Sequence, residues 1–169
     1  MPVRKVAVVM GSESDLETMQ VCIDTLKQFD VAYEVQVLSA HRAPEALHDF
    51  VATAESQGIV VFIAAAGKAA HLAGVIAAQT MLPVIGVPME TKLAGGLDSL
   101  LSIVQMPRGI PVGTMGTGQS GALNAAILAA QILSLSDEAL RNRLRIFKNE
   151  MAEKVVQTSE SVRRRLRLA

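Results

Sequence analysis

Val6-Ala7-Val8-Val9-Met10-Gly11-Ser12-Glu13-Ser14-Asp15 decides how this chain is read: an unbroken apolar strand stops at a glycine and turns at once into a helix start. A continuous apolar run is what a strand covered on both faces of a parallel sheet requires. Val- and Ile-rich runs recur at residues 33–38, 59–64, 84–87 and 111–114, separated by segments of helical character. This alternation predicts an α/β fold, five parallel strands covered by helices. Tyr33-Glu34-Val35-Gln36-Val37 instead alternates, as a strand with one wetter face does, so the second strand is expected at an edge.

Between the strands, Ser14 and Glu17 have the spacing of a capping box, and Leu16, Met19, Ile23 and Leu26 line one side of the first helix. Pro44 and Glu45 open a second helix that stops before Gly58. Residues 69–80, crowded with alanine around Gly74, read as a third helix built for close packing, and residues 122–133 as a further Ala-rich one. Asp137-Glu138 begins a long last helix with a narrow apolar stripe, Leu140, Leu144, Phe147, Met151 and Val155. That stripe needs a partner surface, either a neighbouring subunit or the chain's own body. The expected organisation is a catalytic domain over residues 1–135 and a helical extension over residues 136–169 that packs on a neighbour.

A chain of 169 residues, 50% hydrophobic and 19% charged, has room for one such domain and no second. Its formal charge is zero, so no whole-protein field draws nucleic acid or an anionic membrane, and any anion must be captured locally. The basic cluster Arg163-Arg164-Arg165 with Arg167 has no aromatic stacking partners and reads as a solvated helix end. Cys22 is the only cysteine, which excludes a disulfide framework or a cysteine metal site and points to a reducing, cytoplasmic setting. No apolar run reaches the roughly 18 residues of a membrane span, so a soluble, unprocessed protein is expected. A mean hydropathy of +0.35 without tryptophan comes from Ala, Val, Ile, Leu and Met, and predicts a homo-oligomer that buries helix faces between subunits.

In a doubly wound parallel sheet, ligands bind outside the carboxyl ends of the strands where the strand order reverses. Three turns are candidates: residues 11–15, Ser39-Ala40-His41-Arg42-Ala43-Pro44, and Ala65-Ala66-Gly67-Lys68-Ala69-Ala70-His71. If the first strand lies between the second and third, all three face one crevice. Gly11 allows a tight bend, and Ser12 and Ser14 with free backbone N–H groups suit an anion or sugar hydroxyls, although a capped helix start has the same composition. Asp15 is either a ribose ligand or a favourable charge near the helix dipole. His41 has the side chain suited to proton transfer at neutral pH, or is a hydrogen-bonded structural histidine. Arg42 can hold phosphate with its planar fork or pair with Glu45. His48 and His71 belong to no metal-binding pattern, and Ser102, Ser120 and Ser134 to no hydrolase elbow.

Five segments carry a family resemblance: Met10 to Asp15 (MGSESD), Ser39 to Glu45 (SAHRAPE), Gly67 to Gly74 (GKAAHLAG), Leu82 to Pro88 (LPVIGVP) and Ser99 to Thr114 (SLLSIVQMPRGIPVGT). Together, and in this order, they resemble the N5-carboxyaminoimidazole ribonucleotide mutases of de novo purine biosynthesis. The resemblance implies a flavodoxin-like three-layer sandwich with a long C-terminal helix, assembled as an octamer with active sites near subunit boundaries. It implies an isomerase that moves a carboxylate from the exocyclic nitrogen of an aminoimidazole ribonucleotide to ring carbon 4, without metal, ATP or organic cofactor. It also implies roles: His41 as proton carrier, Ser12, Ser14, Asp15, Ser39, Ala40 and Arg42 around the ribonucleotide, with Arg42 near the phosphate and Asp15 near the ribose. Gly67, Lys68, Ala69, His71 and Leu72 are then the wall of the imidazole and carbon dioxide pocket. Many relatives have Gly-Ala-Gly-Gly where this chain has Ala65-Ala66-Gly67-Lys68, and residues 116–120 also depart from the usual pattern.

Two other functions fit parts of this pattern. A related carboxylase type starts from aminoimidazole ribonucleotide and carbon dioxide, but a lysine typically follows its histidine where this chain has Arg42. A noncatalytic flavodoxin-like module binding a nucleotide or flavin lacks its aromatic sandwich and phosphate loop here, and a purely structural oligomer leaves the three turns unexplained.

Overall fold

The computed structural model describes residues 3–167. Five parallel strands, β1 (Lys5–Met10), β2 (Ala32–Val37), β3 (Ile59–Ala66), β4 (Val84–Pro88) and β5 (Gly113–Thr114), form one sheet in the order β2-β1-β3-β4-β5. The alternating strand β2 is indeed an edge, each of its residues partly exposed, whereas β3 is almost wholly buried. Lys5 reaches across to Glu34 at 3.2 Å and covers part of that wet edge. The fifth strand is shorter than the sequence predicts, reduced to two residues paired with Ile85 and Gly86.

Among the described residues, six helices connect and follow the strands: α1 (Leu16–Gln28), α2 (Pro44–Thr53), α3 (Leu72–Ala77), α4 (Leu97–Val104), α5 (Gly118–Ser134) and α6 (Glu138–Arg165). The step from β1 to β2 runs toward one edge and all later steps run the other way, so right-handed crossovers put α1 on the face opposite α2, α3 and α4. The core agrees. Leu47 and Val51 of α2, Leu72, Ala73 and Ile76 of α3, and Ile103 of α4 pack with Ala7, Val9, Phe62 and Ala64. The buried side of α1 is Met19, Cys22, Ile23 and Leu26. The result is a three-layer flavodoxin-like α/β sandwich.

Two local readings are corrected. The cap at the first helix is Ser12 with Asp15, not Ser14 with Glu17: the Ser12 side chain accepts from the Ser14 N–H, and the Asp15 carboxylate accepts from the Ser12 N–H at 3.2 Å. A 3-10 turn, Glu13–Asp15, precedes α1 and shifts the cap two residues earlier. The third helix begins only at Leu72 and ends at Ala77, leaving Gly67 to His71 as an open loop. The segment of helical character between β4 and β5 holds helix α4, whose bounds were not assigned from the sequence. It rests against β4 because Gly86 has no side chain: a Cβ there would stand 2.5 Å from Ile103 Cγ2.

The chain divides into two compact units between Ala129 and Ala130. In the second unit the Asp137 side chain caps α6 by accepting from the Leu140 N–H at 2.9 Å. Leu140 and Leu144 are buried, while Ile146, Met151, Val155, Val156 and Val162 further along α6 are exposed. Among the described residues, no helix is long and apolar enough to cross a membrane.

Candidate active site

Because β1 lies between β2 and β3, the loops after these strands open side by side at their carboxyl ends. They line a cleft of about 510 Å³, within the few hundred Å³ typical of small-molecule sites. Every residue nominated from the sequence borders it: Ser12, Ser14 and Asp15 from the first loop, Ser39, Ala40, His41 and Arg42 from the second, and Gly67, Lys68, Ala69, His71 and Leu72 from the third. Sequence reasoning missed a fourth wall, Met89, Glu90 and Thr91, which follows β4. Its signal was positional only, since these residues continue a strand whose carboxyl end faces the same crevice.

The first loop is a closed hydrogen-bonded unit. The Ser14 hydroxyl lies 3.0 Å from the Ser12 hydroxyl, and the Asp15 carboxylate holds the Ser12 amide. Burial holds the Asp15 carboxyl above its ordinary 3.8, against the opposing pull of its bonds to the Ser12 amide and the Ser14 side chain. In the second loop, the Arg42 guanidinium turns back across the sheet: Nη2 donates to the Gly11 carbonyl at 3.0 Å and Nε to the Ser39 hydroxyl at 3.4 Å. These bonds occupy part of the fork and fix its plane, leaving other N–H groups for an anion.

His41 and His71 meet across the cleft, Nε2 to Nδ1 at 2.8 Å, with the rings edge to face. One nitrogen of that contact must carry the hydrogen and the other must accept it. When neutral His41 donates from Nε2, its Nδ1 is a bare lone pair and can take a proton. When His41 accepts at Nε2, its neutral tautomer carries hydrogen on Nδ1 and can give one. With Nε2 donating to His71, His41 can take a proton at Nδ1 and give it back from the same atom, while the contact with His71 fixes its tautomer. His48 stands apart, bonded to Gln79 at 2.8 Å as a link between α2 and the segment after α3.

The third loop is held from behind by α4. The Lys68 N–H donates to the buried Ser99 hydroxyl at 2.9 Å, and the Ser102 hydroxyl lies 3.1 Å from the Lys68 carbonyl. Thr91 donates to Asp98 at 2.6 Å, and this bond leads the contacts that hold the Asp98 carboxyl below its ordinary range. Lys68 itself has φ 61°, a left-handed conformation that costs a residue with a side chain about 1–2 kcal/mol. Gly67 is tightly packed, since a Cβ would lie 3.2 Å from Met89 Cβ. Among the described residues, no three His, Cys, Asp or Glu side chains group as metal ligands.

The fold and cleft define a flavodoxin-like protein with an acid/base-equipped site at the switch point of its sheet. The chain belongs to the AIR carboxylase family, whose model matches residues 5–154. It is 53% identical over 152 residues to the N5-carboxyaminoimidazole ribonucleotide mutase of Vibrio parahaemolyticus, a match covering 90% of this chain and 94% of that one. The mutase of Pyrococcus abyssi is 54% identical over 147 residues, with 87% and 83% covered. That of Escherichia coli K12 is 49% identical over 156 residues, with 92% of both covered. Among solved structures, Treponema denticola PurE superposes with a TM-score of 0.85 at 26% identity, covering 94% of this chain and 98% of that one.

Proposed function

We propose that this protein is an isomerase that converts N5-carboxyaminoimidazole ribonucleotide into 4-carboxy-5-aminoimidazole ribonucleotide in purine biosynthesis. The observation that carries this reading is the convergence of the His41–His71 pair, Arg42 and the serine loop on one cleft, in a chain whose relatives named as mutases match nine-tenths of its length. Arg42 and Ser39 hold the 5'-phosphate, Ser12, Ser14 and Asp15 the ribose side, and the loop from Gly67 to Leu72 walls the imidazole.

The proton count explains why one histidine is enough. Cleavage of the N–C bond releases carbon dioxide and leaves its electron pair on the exocyclic nitrogen, which takes up one proton. Carbon 4 then attacks the trapped carbon dioxide, and its C–H hydrogen is lost. His41 gives one proton to the nitrogen and regains one from carbon 4, so, held in its tautomer by His71, it returns to its starting form. Positioned proton transfer supplies about 10²–10⁴ in rate, on the order of 3–5 kcal/mol; the remainder comes from confining ring and carbon dioxide against the small residues Ala66, Gly67 and Ala69.

The same reading takes residues 1–135 as the catalytic domain, residues 136–169 as a helical extension packing on a neighbouring subunit, the assembly as an octamer and the setting as the cytoplasm. Exposed Met151, Val155 and Val162 on α6 support the packing role. The direct test is His41→Asn: turnover falls by at least about 10²-fold while calorimetry still registers ribonucleotide binding. A variant of full activity removes His41 from the mechanism.

A further inference from the structure

We propose that Lys68 is a specificity-determining cation that binds the substrate's carboxylate from the third loop of the cleft. This deepens the ribonucleotide reading and rests on it. Three observations point there. Lys68 lines the cleft and is exposed to it. Its left-handed φ of 61° is one that glycine adopts freely and lysine does not. Both peptide groups of the residue are clamped from α4, the N–H by Ser99 and the carbonyl by Ser102. A strained residue persists only where its surroundings impose the conformation, and such residues gather at functional sites. Here the surroundings impose it on a charged residue of the cleft's lining.

The charges of the cleft give the reason. With both carboxylates ionised, its charged lining residues are Arg42 and Lys68 against Asp15 and Glu90. Without Lys68 the cleft is net negative, while the ligand carries both a phosphate and a carboxylate. Arg42 is committed to one side, turned toward Gly11 and Ser39. The reacting carbon must lie by His41, and His41 touches His71, which shares the third loop with Lys68. The carboxylate on that carbon therefore faces the loop that carries Lys68, and an ammonium there adds a charge-assisted hydrogen bond that a glycine at this position cannot.

Calorimetric titration with two ribonucleotides, 5-aminoimidazole ribonucleotide and its 4-carboxy derivative, separates the effects in the wild-type protein and in Lys68→Met, Lys68→Gly and Lys68→Arg. The expected result is that Met and Gly weaken the 4-carboxy compound about tenfold, the loss of one charge-assisted hydrogen bond. They leave the compound without the carboxylate within about twofold, and Arg retains most of the affinity. Lys68→Gly relieves the backbone while Lys68→Met keeps the strain, so agreement between them assigns the effect to charge. Equal weakening of both ligands, or of neither, overturns the assignment. A wild-type protein that binds neither ribonucleotide overturns the underlying reading and this inference with it.

Discussion

Ser99→Ala is predicted to loosen the third loop far more than Ser102→Ala, although both hydroxyls touch the same residue. Ser99 is fully buried, and its hydroxyl accepts the Lys68 N–H at 2.9 Å. Alanine removes that bond, worth about 0.5–1.5 kcal/mol net, together with the long one the hydroxyl donates to Asp98 Oδ1 at 3.5 Å, and leaves an amide donor without a protein partner, which costs about 1–3 kcal/mol where water cannot reach. The expected destabilisation is about 1–3 kcal/mol, or about 2–12 °C in Tm for a chain of this size. Ser102 is half-buried, bonds Asp98 O at 2.7 Å as well as Lys68 O at 3.1 Å, and leaves only carbonyls that solvent can satisfy. Its loss is expected to cost under about 0.5 kcal/mol. Scanning calorimetry and urea titration read the stability, and steady-state assays of the same variants read kcat/KM, which falls further for Ser99→Ala because the loop beside the ring is displaced. A Ser102→Ala effect equal to or larger than that of Ser99→Ala refutes the view that α4 positions the loop through the buried hydroxyl.

Two further outcomes follow from the buried groups. Burial raises the folded-state pKa of Asp15 above 3.8, so the native state binds the extra proton and wild-type stability declines as pH climbs from about 3.8 through the raised value. Asp15→Asn keeps an acceptor for the Ser12 amide and abolishes that decline; urea melts across this range should show the variant gaining on wild type as pH rises, and a constant gap refutes the assignment. Cys22 is fully buried, and its thiol is pushed up to about 12, so thiol reagents at mildly alkaline pH should label it only after denaturation; rapid labelling of the native protein contradicts the packing of α1.

The sheet was legible in the sequence because burial on both faces leaves a direct mark: β1 and β3 have no polar residue between Val6 and Met10 or between Ile59 and Ala66, while β2 alternates. What failed was whatever depends on contacts distant in sequence. The bounds of helix α4 were not legible because its apolar residues do not form one buried face: Leu97, Leu101 and Val104 are exposed while Ser99 and Ile103 are buried, and the helix starts at Gly96, φ 101°, with no side-chain cap. Alanines at 69 and 70 favour helix, yet the loop there is tied at Lys68 to serines more than thirty residues away. The capping box was misplaced because the Ser-x-x-acid spacing occurs twice, at Ser12 with Asp15 and at Ser14 with Glu17, and only the three-dimensional turn selects one. The cleft was legible through its charged and hydroxyl-bearing loops. The wall at Met89 to Thr91 was not, because those residues follow an apolar strand without a chemical pattern of their own.

The most direct test of the central claim supplies purified protein with N5-carboxyaminoimidazole ribonucleotide in buffer stripped of bicarbonate, and follows formation of the 4-carboxy product. The account predicts catalytic conversion without added carbon dioxide. Turnover only of 5-aminoimidazole ribonucleotide with bicarbonate, and none of the N-carboxylated compound, contradicts it.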